Sequence, residues 1–451
     1  MTSPVGRGLR AALILAAALA ACGGEGAESI PVASATEASP HATASAAAAA
    51  QPAPGSESEV YRPNPSAIVV GIDAGHGGCL DWGVPDPSAR GEELAEKTLT
   101  LAIARRLRDL LESDGITVVM TRDGDDALAG DDHPPLGCHG APWRDVNGDG
   151  HAGFGTDLPL GTRTRDELQA RLDLVNLAGA DALVSIHVNS PSEGGETIEI
   201  AFSQTYYSDE TPWAAATQRL ADEVESGVAA SLEAIATYER GDRGITAHNL
   251  YLVAPPLDEP TEERPNPLAQ PARGGLMPVV LAEVGSITLR AEHDLLATAE
   301  GQEVVAVGLF DGLAAYFADR PLAARIGLAD AAPGVPMAVA GTGPPYWPRV
   351  VDPSAVQLRV TNTGTSRWPP GVELVAAWEA TDRPYLRAAP ADLAGLGTAI
   401  PALEPGDSVL ATVALPQAPP GRGVAWISLR SGQTIFTEAG SPPLQVSTAA
   451  Q

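Results

Sequence analysis

Residues 66–318 alternate between two hydrophobic periods, and no other feature constrains the fold as tightly. Short apolar runs lie at 68–72, 116–120, 182–186, 197–202, 250–253 and 279–282. Several are continuous, as expected of strands buried on both faces. Helical stripes recur between them. Leu99, Ile103, Leu107, Leu110 and Leu111 share one face of 95–112, and Leu168, Leu172 and Val175 share one face of 166–178. Residues 211–235 and 301–317 are two further helix candidates. This alternation predicts an α/β domain with a mixed sheet flanked by helices.

The flanks differ in kind. Arg7 and Arg10 precede an apolar stretch over 13–21, too short to span a bilayer comfortably. It ends in Leu19-Ala20-Ala21-Cys22, which resembles the lipobox of bacterial lipoproteins. The resemblance implies a signal peptide over 1–21, a lipid on Cys22 and anchoring to a bacterial membrane outside the cytoplasm, in the periplasm or on the outer face of the cell membrane. Ordinary secretion is the alternative. Residues 22–65, rich in Ala, Ser, Glu and Pro, read as a disordered tether. Residues 319–345 read as a linker. Over 346–449, alternating runs at 355–360, 373–378, 408–415 and 423–429 are separated by Pro/Gly/Asn turns, which predicts an all-β sandwich. Val360-Thr-Asn-Thr-Gly-Thr-Ser-Arg-Trp368 followed by Leu403-Glu-Pro-Gly406 resembles the Ig-like domains of secreted bacterial enzymes.

A net charge of −29 argues against nucleic acid and against electrostatic binding to anionic lipid. The stretch 124–165 is polar and too long for an ordinary connection. In it, Asp145-Val-Asn147-Gly-Asp149-Gly150 matches the first half of a calcium loop. Thr156 replaces the usual bidentate Glu, so Asp157 or Asp166 would have to complete a Ca2+ site. An acidic, turn-rich loop is the other reading. Cys79 and Cys138 are candidates for a disulfide, for free thiols or, for Cys79 beside His76, for metal ligation.

Four residues carry the chemistry. His76 stands in the glycine-rich turn Gly75-His76-Gly77-Gly78, just after an apolar run. Glu96 opens the first long helix on its inward stripe, where a carboxylate is expensive unless paired, metal-bound or held by the helix N-terminus. His187 and Glu283 end the two most apolar runs, and α/β sheets present ligands at the carboxyl ends of strands. Two histidines and a carboxylate suit a catalytic metal site with one position open, and a second carboxylate suits the general base.

The set Gly75-His76-Gly77-Gly78, Glu96-Lys97, Thr121-Arg122-Asp123, Ser185-Ile-His187-Val-Asn189-Ser190, Asp242-Arg243-Gly244 and Glu283-Val-Gly285 resembles the zinc-dependent N-acetylmuramoyl-L-alanine amidases of the amidase-3 type. The resemblance covers 67–318 in the family's order. It implies Zn2+ on His76, Glu96 and His187, with Glu283 as the catalytic glutamate. The implied reaction is cleavage of the amide between N-acetylmuramic acid and L-alanine in peptidoglycan, in wall remodelling, division or recycling. Two departures stand out: the insertion at 124–165, and Ser286 where the family has an aromatic residue. Rival readings are another zinc hydrolase of cell-wall peptides, or a lipid-anchored wall-binding protein whose catalysis the insertion suppresses. Dependence on an activator protein has no signature in the sequence.

Overall fold

The computed structural model describes residues 64–78, 81–85, 94–129, 145–148, 165–193, 195–257, 270–332, 334, 348, 350–380, 393–418, 420 and 422–447. The proposed signal peptide, most of the tether, Cys22, Cys79, Cys138, Asp149 and Asp157 lie outside them.

The first region runs β1 (Val69–Ala74), α1 (Glu96–Ser113), β2 (Thr117–Met120), α2 (Arg165–Ala178), β3 (Ala182–Asn189), a short hairpin of β4 (Ser192–Glu193) and β5 (Glu196–Thr197), β6 (Phe202–Tyr207), α3 (Ala214–Glu233), β7 (Gly241–Ala247), β8 (Val279–Ser286), α4 (Arg290–Leu296) and α5 (Ala299–Ala318). Six strands form a mixed sheet in the order β2-β1-β3-β8-β6-β7. β2, β1, β3 and β8 run parallel, and β6 is antiparallel to β8. One face buries Val70, Ile72, Val184, Ile186, Val280 and Ala282 against α1, α3 and α5. The other buries Val69, Leu183, Val279 and Leu281 with Leu172 and Val175 of α2. The continuous apolar runs thus follow from burial on both faces.

Two strand expectations need correction. The alternating run 197–202 is not the strand; β6 starts where it ends, at Phe202. Residues 250–253 form a buried turn that packs Leu252 and Val253 under the sheet, so their composition imitates a strand. β7 has no apolar run of its own and was not anticipated.

The second region comprises β9 (Ala324–Leu328), β10 (Val356–Asn362), β11 (Val372–Ala380), β12 (Ala394–Ile400), β13 (Ser408–Val413), β14 (Arg422–Ser431), β15 (Thr434–Ile435) and β16 (Leu444–Ser447). These make two antiparallel sheets, β13-β10-β9 and β12-β11-β14-β15, with β16 on β14. Leu358, Val360 and Ile326 from one sheet share an apolar core with Leu374, Ile427 and Val446 from the other. The expected linker at 319–345 is corrected by β9, which pairs with β10 within that stretch. Ala324 and Ile326 face the core, while Arg325 between them turns to the first region.

That junction is polar at its centre. Asp181, fully buried just before β3, accepts from Val69 N–H at 2.9 Å and from Arg325 Nη2 at 2.7 Å. Arg320 Nη1 lies 3.9 Å from its other oxygen. Beside it, Trp213 and Ala216 pack with Val375, Ala377, Trp426 and Ile435. Among the described residues no helix is long and apolar enough to cross a membrane.

Candidate metal centre

Parallel strands converge the site. Register sets Ala74 beside Ile186 and His187 beside Glu283, so the ends of β1, β3 and β8 meet at one edge. His76 lies two residues past β1. It has φ 61°, the left-handed region, and is the one non-glycine residue there among the described residues. Such strain persists only where the surroundings over-determine it. Here three buried cations pin the turn's carbonyls. Arg171 of α2 donates to Ala74 O at 3.0 Å and His76 O at 2.7 Å. Arg122 donates to Ala74 O and Gly75 O at 2.8 and 3.0 Å, and Lys97 to Gly78 O at 2.8 Å. The motif residues Lys97 and Arg122 therefore shape the histidine turn.

Arg171 is itself neutralised by Asp73 at 3.0 Å and Glu167 at 2.9 Å. Asp73 also accepts from Ser185 Oγ at 2.5 Å and Thr121 Oγ1 at 2.6 Å. Burial alone would raise the Asp73 carboxyl; the Arg171 charge and the two hydroxyls outweigh it and hold it below its ordinary value. Burial and the nearby Arg171 charge pull Arg122 down to about 10, still charged at neutral pH.

Glu96 is the first residue of α1. No side chain caps this helix. Glu96 N–H and Lys97 N–H instead donate to Val84 O and Trp82 O, so the 81–85 loop satisfies two of the orphan donors. The same loop holds Glu96, since Val84 N–H donates to its Oε2 at 2.8 Å. Its Oε1 accepts from Val188 N–H at 3.0 Å and lies 3.2 Å from both His76 Nε2 and His187 Nδ1. Asp81 Oδ1 stands 2.7 Å from His76 Nδ1, on the ring's other side, and so orients it.

His76, Glu96 and His187 each present one ligand atom, all within 4.8 Å of one another. The donor set fits a divalent cation on three counts. Two imidazoles and a carboxylate converge, with ligand atoms close enough to share one ion. Burial works against charge on His76, yet the Glu96 and Asp81 carboxylates raise it well above its ordinary value; burial works against charge on Glu96, yet His76 lowers it. The carboxylates thus favour positive charge at this point. Space is also reserved for it. A Cβ at Gly75 would stand 2.6 Å from His187 Nε2, and one at Gly83 (φ +63°) would strike Glu96 Oε2 and His76 Nε2.

Glu283 lies in the same sheet row but contributes nothing to this triangle. Its Oε2 is buried and has no hydrogen-bond partner among the described residues. Burial, with the Glu96 charge nearby, pushes its carboxyl well above the usual carboxylate range, and His76 opposes this only in part.

The four residues singled out in the sequence are thus brought together. Asp81, Asp73 and Arg171 were not anticipated. The spacing of Asp81, five residues after His76, was a usable signal for a carboxylate–histidine pair. At the calcium candidate, Asp166 Oδ1 accepts from Val146 N–H at 2.7 Å and Asn147 N–H at 3.1 Å, and Asp145 accepts from Gly148 N–H at 2.8 Å. These carboxylates cap the loop's backbone. Among the described residues they form no three-ligand cluster.

Known proteins resemble this chain over its first region. A family model described as N-acetylmuramoyl-L-alanine amidase (amidase-3) matches residues 70–315. The chain is 27% identical over 256 residues to the germination-specific N-acetylmuramoyl-L-alanine amidase of Bacillus subtilis (strain 168), covering 56% of this chain and 82% of that protein. It is 27% identical over 252 residues to the sporulation-specific N-acetylmuramoyl-L-alanine amidase of the same organism, covering 55% and 68%. Among solved structures, the catalytic domain of CwlV from Bacillus (Paenibacillus) polymyxa var. colistinus is similar at 25% identity and a TM-score of 0.35, over 55% of this chain and 97% of that one.

Proposed function

The chain belongs to the N-acetylmuramoyl-L-alanine amidase family, and on that premise we propose that it hydrolyses the muramoyl–L-alanine amide of peptidoglycan with a zinc ion held by His76, Glu96 and His187 and with Glu283 as general base. The observation that carries the division of roles is the orphaned Glu283 Oε2 beside a three-ligand triangle that excludes it.

Zinc bound there supplies Lewis acidity, which polarises a carbonyl and makes a nearby water more acidic. The chain's own residues do the rest. Asp81 fixes the His76 ring through Nδ1, so Nε2 faces the pocket. The backbone N–H of Val84 and Val188 fix the Glu96 carboxylate. Glu283 takes the proton of the attacking water at Oε2 and returns it to the amine nitrogen of L-alanine as the C–N bond breaks.

We read Cys22 as the lipid-bearing residue after cleavage of the signal segment. The tether over 22–65 would then give the enzyme reach from an extracytoplasmic membrane surface into the wall. The C-terminal sheets are read as an Ig-like sandwich, supported by their antiparallel pairing and shared core.

Digestion of purified peptidoglycan with the full chain tests the reaction. The reading predicts release of intact stem peptides with new L-alanine N-termini, abolished by a zinc chelator. Release of peptides cut internally would make it a peptidase instead.

A further inference from the structure

The row of the sheet that holds the site continues past Glu283. His187 on β3 pairs with Glu283 on β8, and Glu283 pairs with Gln204 on β6. Directly paired residues project to the same face, with Cβ atoms about 4.5–5.5 Å apart. Gln204 therefore stands beside Glu283 on the side away from the metal ligands. The neighbouring Thr205 projects oppositely and bonds Glu225 of α3 at 2.7 Å, which fixes the facing of the strand. α3 packs against β6 and β7 on that opposite side. On the site side, Gln204, Tyr206 and Thr246 are half-buried and His248 is exposed.

The Gln204 amide is held from two directions. Its Nε2 donates to Thr246 Oγ1 at 2.7 Å, and its Oε1 accepts from Tyr206 Oη–H at 3.0 Å. A primary amide has two N–H donors. The second one of Gln204 bonds no described residue. An amide immobilised at both ends, with one donor unspent, is prearranged for a carbonyl acceptor.

We infer that Gln204 positions the substrate by donating a hydrogen bond to a backbone carbonyl of the stem peptide next to the scissile amide, with Thr246 and Tyr206 holding its amide in place. The inference rests on the amidase reading for the identity of the peptide. The peptide side of the substrate then runs from Glu283 across β6 toward the edge strand β7, and Gln204 touches it directly. No covalent step involves Gln204.

The test uses the full chain in an E283Q background, so that binding is measured without turnover, together with the same changes in the active enzyme. The probe is a soluble muramoyl-pentapeptide. Q204L should weaken its binding to E283Q protein about tenfold, as read by calorimetry, and T246V should weaken it less, while T246S restores it. In the active enzyme, Q204L should raise KM about tenfold with kcat changed less than threefold and zinc content unchanged. A merely structural role for Gln204 would lower zinc content or thermal stability and leave the KM-to-kcat split unmoved. Equal binding of Q204L and Q204 proteins would overturn the inference. Cleavage of the probe at another bond would overturn the amidase reading alone, since the binding comparison still decides Gln204. Failure of E283Q protein to bind the probe at all would overturn both.

Discussion

Opposite ends of one sheet treat a buried carboxylate in opposite ways. Ahead of β3, Asp181 has no exposed surface, and its oxygens meet Val69 N–H, Arg325, Arg320 and the Thr363 hydroxyl. At the far end of β8, Glu283 buries an oxygen that has no hydrogen-bond partner among the described residues. The first arrangement joins two regions of the chain, and charge there is cancelled. The second leaves charge uncancelled, which raises the carboxyl and keeps its lone pairs for a proton. Asp73 sits between the two in the sheet and follows the first pattern, cancelled by Arg171 so that the histidine turn above it can be strained. Among these three carboxylates, partners on both oxygens go with architecture at Asp181 and Asp73, while the oxygen without a described partner lies beside the three-ligand cluster at Glu283.

The comparison can be broken at each end. The largest effect is expected at Glu283. E283Q should lower kcat on peptidoglycan by about 10²–10⁴-fold, the usual worth of a general base, with the unfolding midpoint in denaturant held or raised because an orphaned ionisable group is gone. A midpoint lowered as far as by a core cavity would mean that Glu283 is structural.

Next is Asp181. D181A strands Arg325 and Arg320 in the junction, and breaking such a pair costs about 3–5 kcal/mol. Equilibrium unfolding should show that loss, while zinc content and kcat of the folded fraction stay unchanged. A loss of under about 1 kcal/mol would put this pair among those that contribute little.

Smaller again is Asp81. D81A removes the acceptor that fixes His76, and outer partners of this kind are worth about 10–100-fold in metal affinity. Competition with a chromophoric chelator reads it directly.

The smallest effect extends the comparison to another carboxylate. Glu225 of α3 is buried, and its Oε2 accepts from Thr205 Oγ1 at 2.7 Å. Burial pushes it up to about 7, and the Asp242 charge adds to this. The folded state then holds the proton more tightly than an unfolded chain with a carboxyl near about 4.3. Stability from this group is full below that value and is lost as pH rises toward 7. E225Q should flatten the decline and gain on the order of 1 kcal/mol at pH 8, as seen in Tm measured across pH.

Most of the first region was legible because its strands are buried on both faces and its helices are long. β1, β3 and β8 announce themselves as apolar runs, and the site residues stand where those runs end. β6 was misplaced because its own residues, Phe202–Tyr207, alternate toward Glu225 on one side and toward Glu283 on the other, so its period carries polar residues on both faces. β7, an edge strand, needed no apolar run to form. β9 was hidden because its core face is only Ala324, Ile326 and Leu328, interleaved with Arg325 and Gly327. In the site, the cluster of His76, Glu96 and His187 was readable from position along the chain. Arg171 was not, because it shares α2 with an apolar stripe and its role comes from carbonyls on another element.

On the proposed reading, His76, Glu96 and His187 hold the metal and Glu283 stands outside the ligand set. Elemental zinc content of the purified full chain, of H187A and of E283Q tests it most directly. About one zinc per chain is expected in the unmodified protein and in E283Q, and a large loss in H187A. Zinc retained in H187A at the unmodified level, or lost from E283Q, would contradict it.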